Sequence, residues 1–502
     1  MKQESVIDVL GKLKVTDPKA IMLEDSNASY TAGEVVERCY RLATSLAQRG
    51  IQTLGLHADN GIEWVIADLT CQHENLMLVP IPTFFSDSQV THLLEHCTLD
   101  ALLTDDPGSL SSLADLDVDP VGRLPGTGLF LFHFADNTSV SMKPEGTGKI
   151  TFTSGSTGIP KGVCLSKQQQ LQQANVLREC VDLEAPRHLC VLPLSTLLEN
   201  IAGVYAPLLA GGTVLLPALE ELGFHGSEMR HPTRLMLAIS RLEPDSLILV
   251  PQLLMVLVAA IQQGWHPPES LKFIAVGGSK VSAELLHSAF AHGLPVYEGY
   301  GLSECCSVVS LNSRSNSQPG RCGLPLPNLK VTTRDGEILV QGNSMLGYLG
   351  EPDSWNRSEI ATGDVGYLDE QGFLHVNGRK KNVIISSLGR NISPEWVESE
   401  LLANPQLAEA LLVGDARPYC AALISLRDPS LSQSALEQWI DAVNSKLPDY
   451  AQVRRFVLLD TPLSTRGELF TANGRPRREA INLAMSEEIE SMYEGSVVVD
   501  YA

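Results

Sequence analysis

Paired cysteine spacing is missing from this 502-residue chain. Its ten cysteines include no Cys-x-x-Cys pair, and no zinc-type set of Cys and His ligands appears. That excludes a disulfide scaffold, so reduced thiols and a cytoplasmic location are expected. Positive charge is also scarce. Lysine and arginine number 37 against 59 acidic residues, a net charge of −22, which argues against nucleic-acid binding. No long apolar run survives inspection. Residues 201–219 are interrupted by Pro207, Gly211, Gly212 and Pro217. They read as buried helix, turn and buried strand, and no transmembrane segment is expected. The first five residues lack the apolar core of a signal peptide. Repeats and low-complexity tracts are absent too.

The length implies more than one domain. From about residue 50, short apolar runs alternate with helical patterns. Strands are expected at 51–57, 77–81, 101–104, 189–192, 214–216, 247–250, 273–276 and 296–297. Helices are expected at 63–71, 86–97 and 200–209. Such βα alternation implies largely parallel sheets with helices on both faces, and binding loops at the carboxyl ends of strands. Between residues 320 and 372 turns become dense, which reads as a small antiparallel barrel or sheet. A new unit follows, with Ser393 as N-cap and Pro394 at the first helical position. The fold expected is α/β. A large N-terminal domain of βα-layered subdomains plus a small β-barrel, residues 1–380, precedes a small mobile α+β domain, residues 381–502.

One loop carries the chemistry. Thr153, Ser154, Gly155, Ser156, Thr157, Gly158 and Lys161 follow an apolar approach. Glycines let backbone N–H groups close on an anion; hydroxyls and a lysine add donors and charge. The spacing is not that of a Walker A loop. Alone, it reads equally as a Ser/Thr/Gly surface loop. Other candidates lie downstream. Gly277, Gly278 and Ser279 end a strand. Tyr300, Gly301, Ser303 and Glu304 form a Tyr-Gly-Leu-Ser-Glu run. A Thr-Gly-Asp step ends at Asp364, and Gly378-Arg379-Lys380-Lys381 comes fifteen residues after Gly363. A carboxylate such as Asp364 can accept two hydroxyl protons, and Glu304 suits a hard cation.

In this order the segments resemble the adenylate-forming superfamily, in particular long-chain fatty acyl-CoA synthetases, over essentially the whole chain. The resemblance implies ATP, Mg²⁺ and coenzyme A, with a carboxylic acid as substrate. It implies that the glycine-rich loop and Lys161 hold phosphates and that Glu304 holds Mg²⁺. Tyr300 would stack on adenine with Gly277–Ser279 beneath it, and Asp364 and Arg379 would hold the ribose. Lys381 would be the hinge, and Leu388, Gly389 and Arg390 would reach the site after rotation.

Three positions depart from the family pattern. Arg475 stands where a lysine bridges the carboxylate and the α-phosphate, and a planar fork is not a point donor. Leu388 replaces a glycine beside the thiol tunnel. Ser195 and Thr196 occupy a place where many relatives have histidine. A medium- or long-chain fatty acid is the expected substrate, an aromatic acid the second. Transfer to an acyl carrier protein instead of CoA, or a catalytically impaired nucleotide- or acyl-binding homologue, are the alternatives. Cys305 and Cys306 read as small apolar strand residues.

Overall fold

Alternating apolar and helical segments assemble, in the computed structural model, into two large mixed sheets. The structure describes residues 4–108, 118–134, 142–153, 160–226, 228–387, 390–471 and 474–493. The first sheet has a parallel centre in the order Val296–Tyr300, Phe273–Val276, Ser246–Leu249, Arg187–Leu189, Thr213–Leu215 and Ile21–Glu24. The second is centred on Met77–Pro80, Thr53–His57 and Ala101–Thr104. It extends through the hairpin Thr147–Thr153 and Lys161–Ser166. These central strands are buried along nearly their whole length. That is why they appear in the sequence as continuous apolar runs rather than alternating ones.

The segment expected as a helix over 200–209 is wound in two ways. Glu199–Tyr205 is a π-helix that continues as an α-helix over Ala206–Leu209. Its first two residues are polar and buried, so they must find partners inside the protein. Glu199 turns to His188 and the Leu192 N–H, while the Asn200 amide donates to Asp68 at 2.7 Å. Gly203 makes the close approach tolerable. A Cβ there would lie 2.3 Å from Glu199 Oε1 and 2.8 Å from His188 Nε2. Wider winding of this kind marks functional segments more often than plain helix does.

Asn200 belongs to a buried ionic group. The Lys149 ammonium, in the strand that runs toward the glycine-rich loop, pairs with Asp68 at 2.7 Å. It also donates to the Asn200 side chain and the Tyr205 hydroxyl. Lys149 and Asp68 are 2% and 0% exposed. Two charges at that depth persist only when paired and hydrogen-bonded. The group ties the hairpin strand, the helix Ile62–His73 and the π-helix together.

Of the two forms expected for the turn-rich middle, barrel or sheet, the structure has the antiparallel sheet rather than a β-barrel. Leu329–Arg334, Glu337–Gly342, Glu359–Leu368 and Leu374–Arg379 pair antiparallel in that order. Its last strand is kept from closing onto the first because its edge bonds elsewhere. Leu374 exchanges backbone hydrogen bonds with Cys322 and Gly323. Cys305 and Cys306 also differ from expectation. Cys305 ends a single 3₁₀ turn, Ser303–Cys305, and Cys306 follows with φ +55°. Both are buried, and burial pushes the Cys306 thiol up to about 12. All ten cysteines are free thiols.

Residues after Arg379 build a smaller α+β unit. Leu407–Val413, Cys420–Leu426 and Val453–Leu459 form a mixed sheet. The helices Pro394–Leu401 and Gln433–Asn444 share one apolar core with it. Ser393 caps Pro394–Leu401 by position, but its hydroxyl donates to Glu395 rather than accepting from the helix. No described helix is long and apolar enough to cross a membrane.

Candidate active site

Strand register assembles the first part of the site. Asp364 and Arg379 are direct partners across Glu359–Leu368 and Leu374–Arg379. Arg379 Nε lies 2.9 Å from Asp364 Oδ1, and its Nη1 donates to the Thr362 carbonyl at 3.0 Å. The Tyr300 hydroxyl, from the end of a strand in another sheet, donates to Asp364 Oδ2 at 2.6 Å. Burial pushes the Asp364 carboxyl up, while Arg379, the Tyr300 hydroxyl and Arg475 pull it back. Burial and the Asp364 charge drive the Tyr300 phenol well up, so it stays a donor.

Gly301 has no alternative here. A Cβ would sit 1.7 Å from the Ser307 carbonyl oxygen. The backbone can therefore double back after Tyr300 and present Ser303 and Glu304 on the 3₁₀ turn.

Arg475 reaches this group from the C-terminal unit. Its Nη2 donates to the Gly278 carbonyl at 3.3 Å. Protein packed around it and the nearby Arg379 charge lower its proton affinity, and Asp364 and Glu304 oppose them. A guanidinium remains charged regardless. Lys381 is lowered as well, by burial first and then by Arg379 and Arg475, against Glu479. Three cations thus repel one another beside one buried carboxylate. A bound polyanion relieves that repulsion.

Lys161 and Glu304 meet through a residue that carries no motif. The Tyr348 hydroxyl donates to Glu304 Oε1 at 2.7 Å, and Lys161 Nζ stands 5.0 Å from the centre of the same ring. The short strand Gly347–Tyr348 pairs with Lys161–Ser166, which brings Tyr348 there. Lys161 Nζ is also 2.8 Å from Glu351 Oε1. Glu304 Oε2 has no protein hydrogen-bond partner among the described residues. An open carboxylate oxygen beside a lysine fits a hard cation bridging to phosphate, so Glu304 is the residue that would hold Mg²⁺. Glu351 competes for Lys161, so Glu351→Gln should lower the KM for ATP about two- to fivefold, the scale of an exposed ion pair. An unchanged KM in steady-state pyrophosphate assays would contradict that competition.

Other sequence candidates fall as follows. Thr153 pairs with Lys161 across the hairpin. Ser154, Gly155, Ser156, Thr157 and Gly158 lie outside the described residues, as do Leu388 and Gly389. Gly277, Gly278 and Ser279 follow the strand Phe273–Val276, at its carboxyl end. Arg390 is not in the cluster; its guanidinium lies 5.9 Å from the Tyr450 ring centre.

An apolar cavity of about 100 Å³ opens beside this cluster at Gly277, Tyr300 and Gly301. Leu198, Ala202 and Ala206 supply one wall from the π-helix and its α-helical continuation; Phe273 and Ala275 supply another. Of the polar side chains in its lining, Arg178 is half exposed; His188, Ser246 and Ser307 are buried. His188 draws a further group together. His188, Cys190 and Glu199 place donor atoms within 4.8 Å of one another. They come from positions with no metal-type spacing, and the histidine and carboxylate already bond each other.

The AMP-binding enzyme family profile matches residues 14–349, and the AMP-binding enzyme C-terminal domain profile matches residues 381–497. The 2-succinylbenzoate–CoA ligase of Staphylococcus aureus strain MSSA476 is 26% identical over 487 residues, 89% of this chain and 95% of the relative. The o-succinylbenzoate CoA synthetase (MenE) from Bacillus subtilis, solved with its acyl-adenylate intermediate, is 25% identical. It superposes with a TM-score of 0.75 over 94% of this chain and 97% of that one. The anthranilate CoA ligase AuaEII, bound to anthranoyl-AMP, superposes at 0.78 over 96% and 97% with 18% identity, a likeness of fold alone. None of the three is named for a fatty acid, so the expected special likeness to long-chain fatty acyl-CoA synthetases finds no support in them. With the profile covering most of the sequence and the fold shared from end to end, the chain belongs to the AMP-binding enzyme family and is an adenylate-forming acid–thiol ligase.

Proposed function

We propose that the protein joins a carboxylic acid with an apolar body, a medium- or long-chain fatty acid type, to coenzyme A at the expense of ATP. The observation that carries this reading is the apolar cavity meeting the Tyr300–Asp364–Arg379 cluster under Arg475. In the first half-reaction an acid oxygen attacks the α-phosphorus. The bond from that phosphorus to the bridging oxygen breaks, and pyrophosphate leaves. Lys161 holds the terminal phosphates, and Asp364 and Arg379 hold the ribose. Arg475 offsets charge where carboxylate and α-phosphate meet. Mg²⁺, when bound at Glu304, supplies charge neutralisation on the polyphosphate.

In the second half-reaction the thiol sulfur bonds to the acyl carbon, AMP departs, and the thiol proton passes to solvent. Arg475 occupies the site before this step. The unit 381–502 therefore has to turn about Lys381 to bring residues 388–390 forward.

Arg178 supports a second reading, an acid with a remote carboxylate such as the substrate named for the relatives. Its side chain lines the cavity and, among the described residues, its guanidinium bonds only the Leu209 carbonyl and, at 3.7 Å, Glu179. On that reading Arg178→Ala lowers kcat/KM for 2-succinylbenzoate about tenfold or more and leaves decanoate unchanged. Equal effects on both acids would remove it.

A pyrophosphate-release screen across fatty, aromatic and dicarboxylic acids, with and without CoA, tests the main reading. CoA-dependent thioester from an apolar acid supports it. Acyl-AMP that accumulates with CoA present, and clears only with a carrier protein, points to the other acceptor. No release with any acid defeats the reading.

A further inference from the structure

The acid-binding cavity is not uniformly apolar, and its polar groups point to a substrate feature. His188 and Ser246 are register partners on neighbouring parallel strands. His188 Nδ1 lies 2.9 Å from Ser246 Oγ, and His188 Nε2 lies 3.1 Å from Glu199 Oε1. The Leu192 N–H donates to the other Glu199 oxygen at 3.1 Å. All three side chains are at most 4% exposed.

A histidine and a carboxylate at that depth persist because each satisfies the other's hydrogen bonding. A hydroxyl has one hydrogen and two lone pairs, so the bond between Ser246 Oγ and Nδ1, in either direction, leaves Ser246 able to make a further hydrogen bond. Ser246 Oγ has no other protein partner among the described residues, and Ser246 lines the cavity.

Ser307 makes an independent case. It lines the same cavity, is 7% exposed, and its hydroxyl has no hydrogen-bond partner among the described residues. Its backbone is held at φ +94°. Buried hydroxyls without partners are rare in native proteins and call for an occupant. The two hydroxyls sit at different depths. Ser307 is beside Gly301, at the nucleotide end. Ser246 pairs with Phe273, four residues before Gly277, so it lies about 13 Å deeper by the rise of a strand.

We propose that the acid taken by this cavity carries an oxygen function, a hydroxyl or an oxo group, in its otherwise apolar body. Ser246 hydrogen-bonds that oxygen when it is distal, and Ser307 when it is close to the carboxylate. The proposal rests on the ligase reading above and narrows its substrate class. A site built to hydrogen-bond an oxygen discriminates against the analogue lacking it, because the protein hydroxyl is then left buried and unpaired.

The test compares decanoate with its monohydroxy and mono-oxo isomers in pyrophosphate release by the unmodified full-length protein. The oxygen is placed near the carboxylate, at mid-chain or at the distal end. At least one isomer should exceed decanoate in kcat/KM by about tenfold or more. Ser246→Ala should abolish a distal preference and Ser307→Ala a proximal one, each read as the ratio of the isomer's kcat/KM to that of decanoate in the same variant. Ser307→Ala removes a hydroxyl with no hydrogen-bond partner among the described residues, so it keeps the test open if Ser246→Ala folds poorly. Decanoate equal to or better than every isomer overturns the proposal while leaving the ligase reading intact. A preference that survives both substitutions also overturns it. Failure of every acid to release pyrophosphate defeats both.

Discussion

Replacement of Asp364 by alanine should raise the KM for ATP about a hundredfold, with a much smaller effect on the KM for the acid. The carboxylate is 5% exposed and receives Tyr300 and Arg379. A sugar diol placed there donates two hydrogen bonds to a charged acceptor, each worth about 1.5–3 kcal/mol. Loss of both, less what water restores, gives roughly the stated factor. The variant also leaves Arg379 beside Arg475 and Lys381 without the buried carboxylate it pairs with. Asp364→Asn separates these causes, since it keeps the shape and one acceptor but not the charge. A titration of initial rate against ATP at saturating acid is the measurement. A wild-type KM in Asp364→Ala would take the residue out of the ribose site.

Arg475→Ala should slow formation of the acyl-adenylate about 10²- to 10³-fold, the usual result of removing one donor aimed at developing charge. Preformed acyl-AMP, offered with CoA, should be converted at close to the normal rate, because Arg475 then has no role in bond making. Arg475→Lys should stay within about tenfold of the parent in the first half-reaction, as it keeps the charge but loses the fork. Single-turnover assays of each half-reaction separate these outcomes. Equal losses in both halves for Arg475→Ala would show a structural residue that holds the two units together through the Gly278 carbonyl.

Legibility of the site in the sequence followed how local each contact is. Tyr300 to Glu304 sit on one strand end and the turn after it, so a short motif contains them. Asp364 and Arg379 are fifteen residues apart, yet they are cross-strand partners, and the dense turns between 320 and 372 already suggested antiparallel pairing. Tyr348 and Glu351 were missed for the opposite reason. They reach Lys161 across nearly two hundred residues through a two-residue strand, and nothing around Gly347 announces it.

The His188–Ser246–Glu199 group did leave a trace. Ser246 begins the otherwise apolar strand Ser246–Leu249, and His188 immediately precedes the apolar run that opens at Leu189. A polar residue opening such a strand is a signal, although a histidine with no motif hides it. Barrel and sheet were not told apart because turn density reports hairpins and says nothing about which edge meets which. Here the edge of Leu374–Arg379 is taken by Cys322 and Gly323.

The buried Lys149 group has a consequence for redesign of this enzyme. It joins the wall of the acid cavity to the strand that leads into the phosphate loop. A bulkier side chain at Ala202 that shifts the π-helix therefore also displaces the ATP side, so a gain in acid selectivity there costs triphosphate affinity. Phe273 and Ala275, on the opposite wall, have no such ionic tether to the hairpin. A change at that wall is transmitted along its strand to Gly277 and Gly278 rather than to the hairpin.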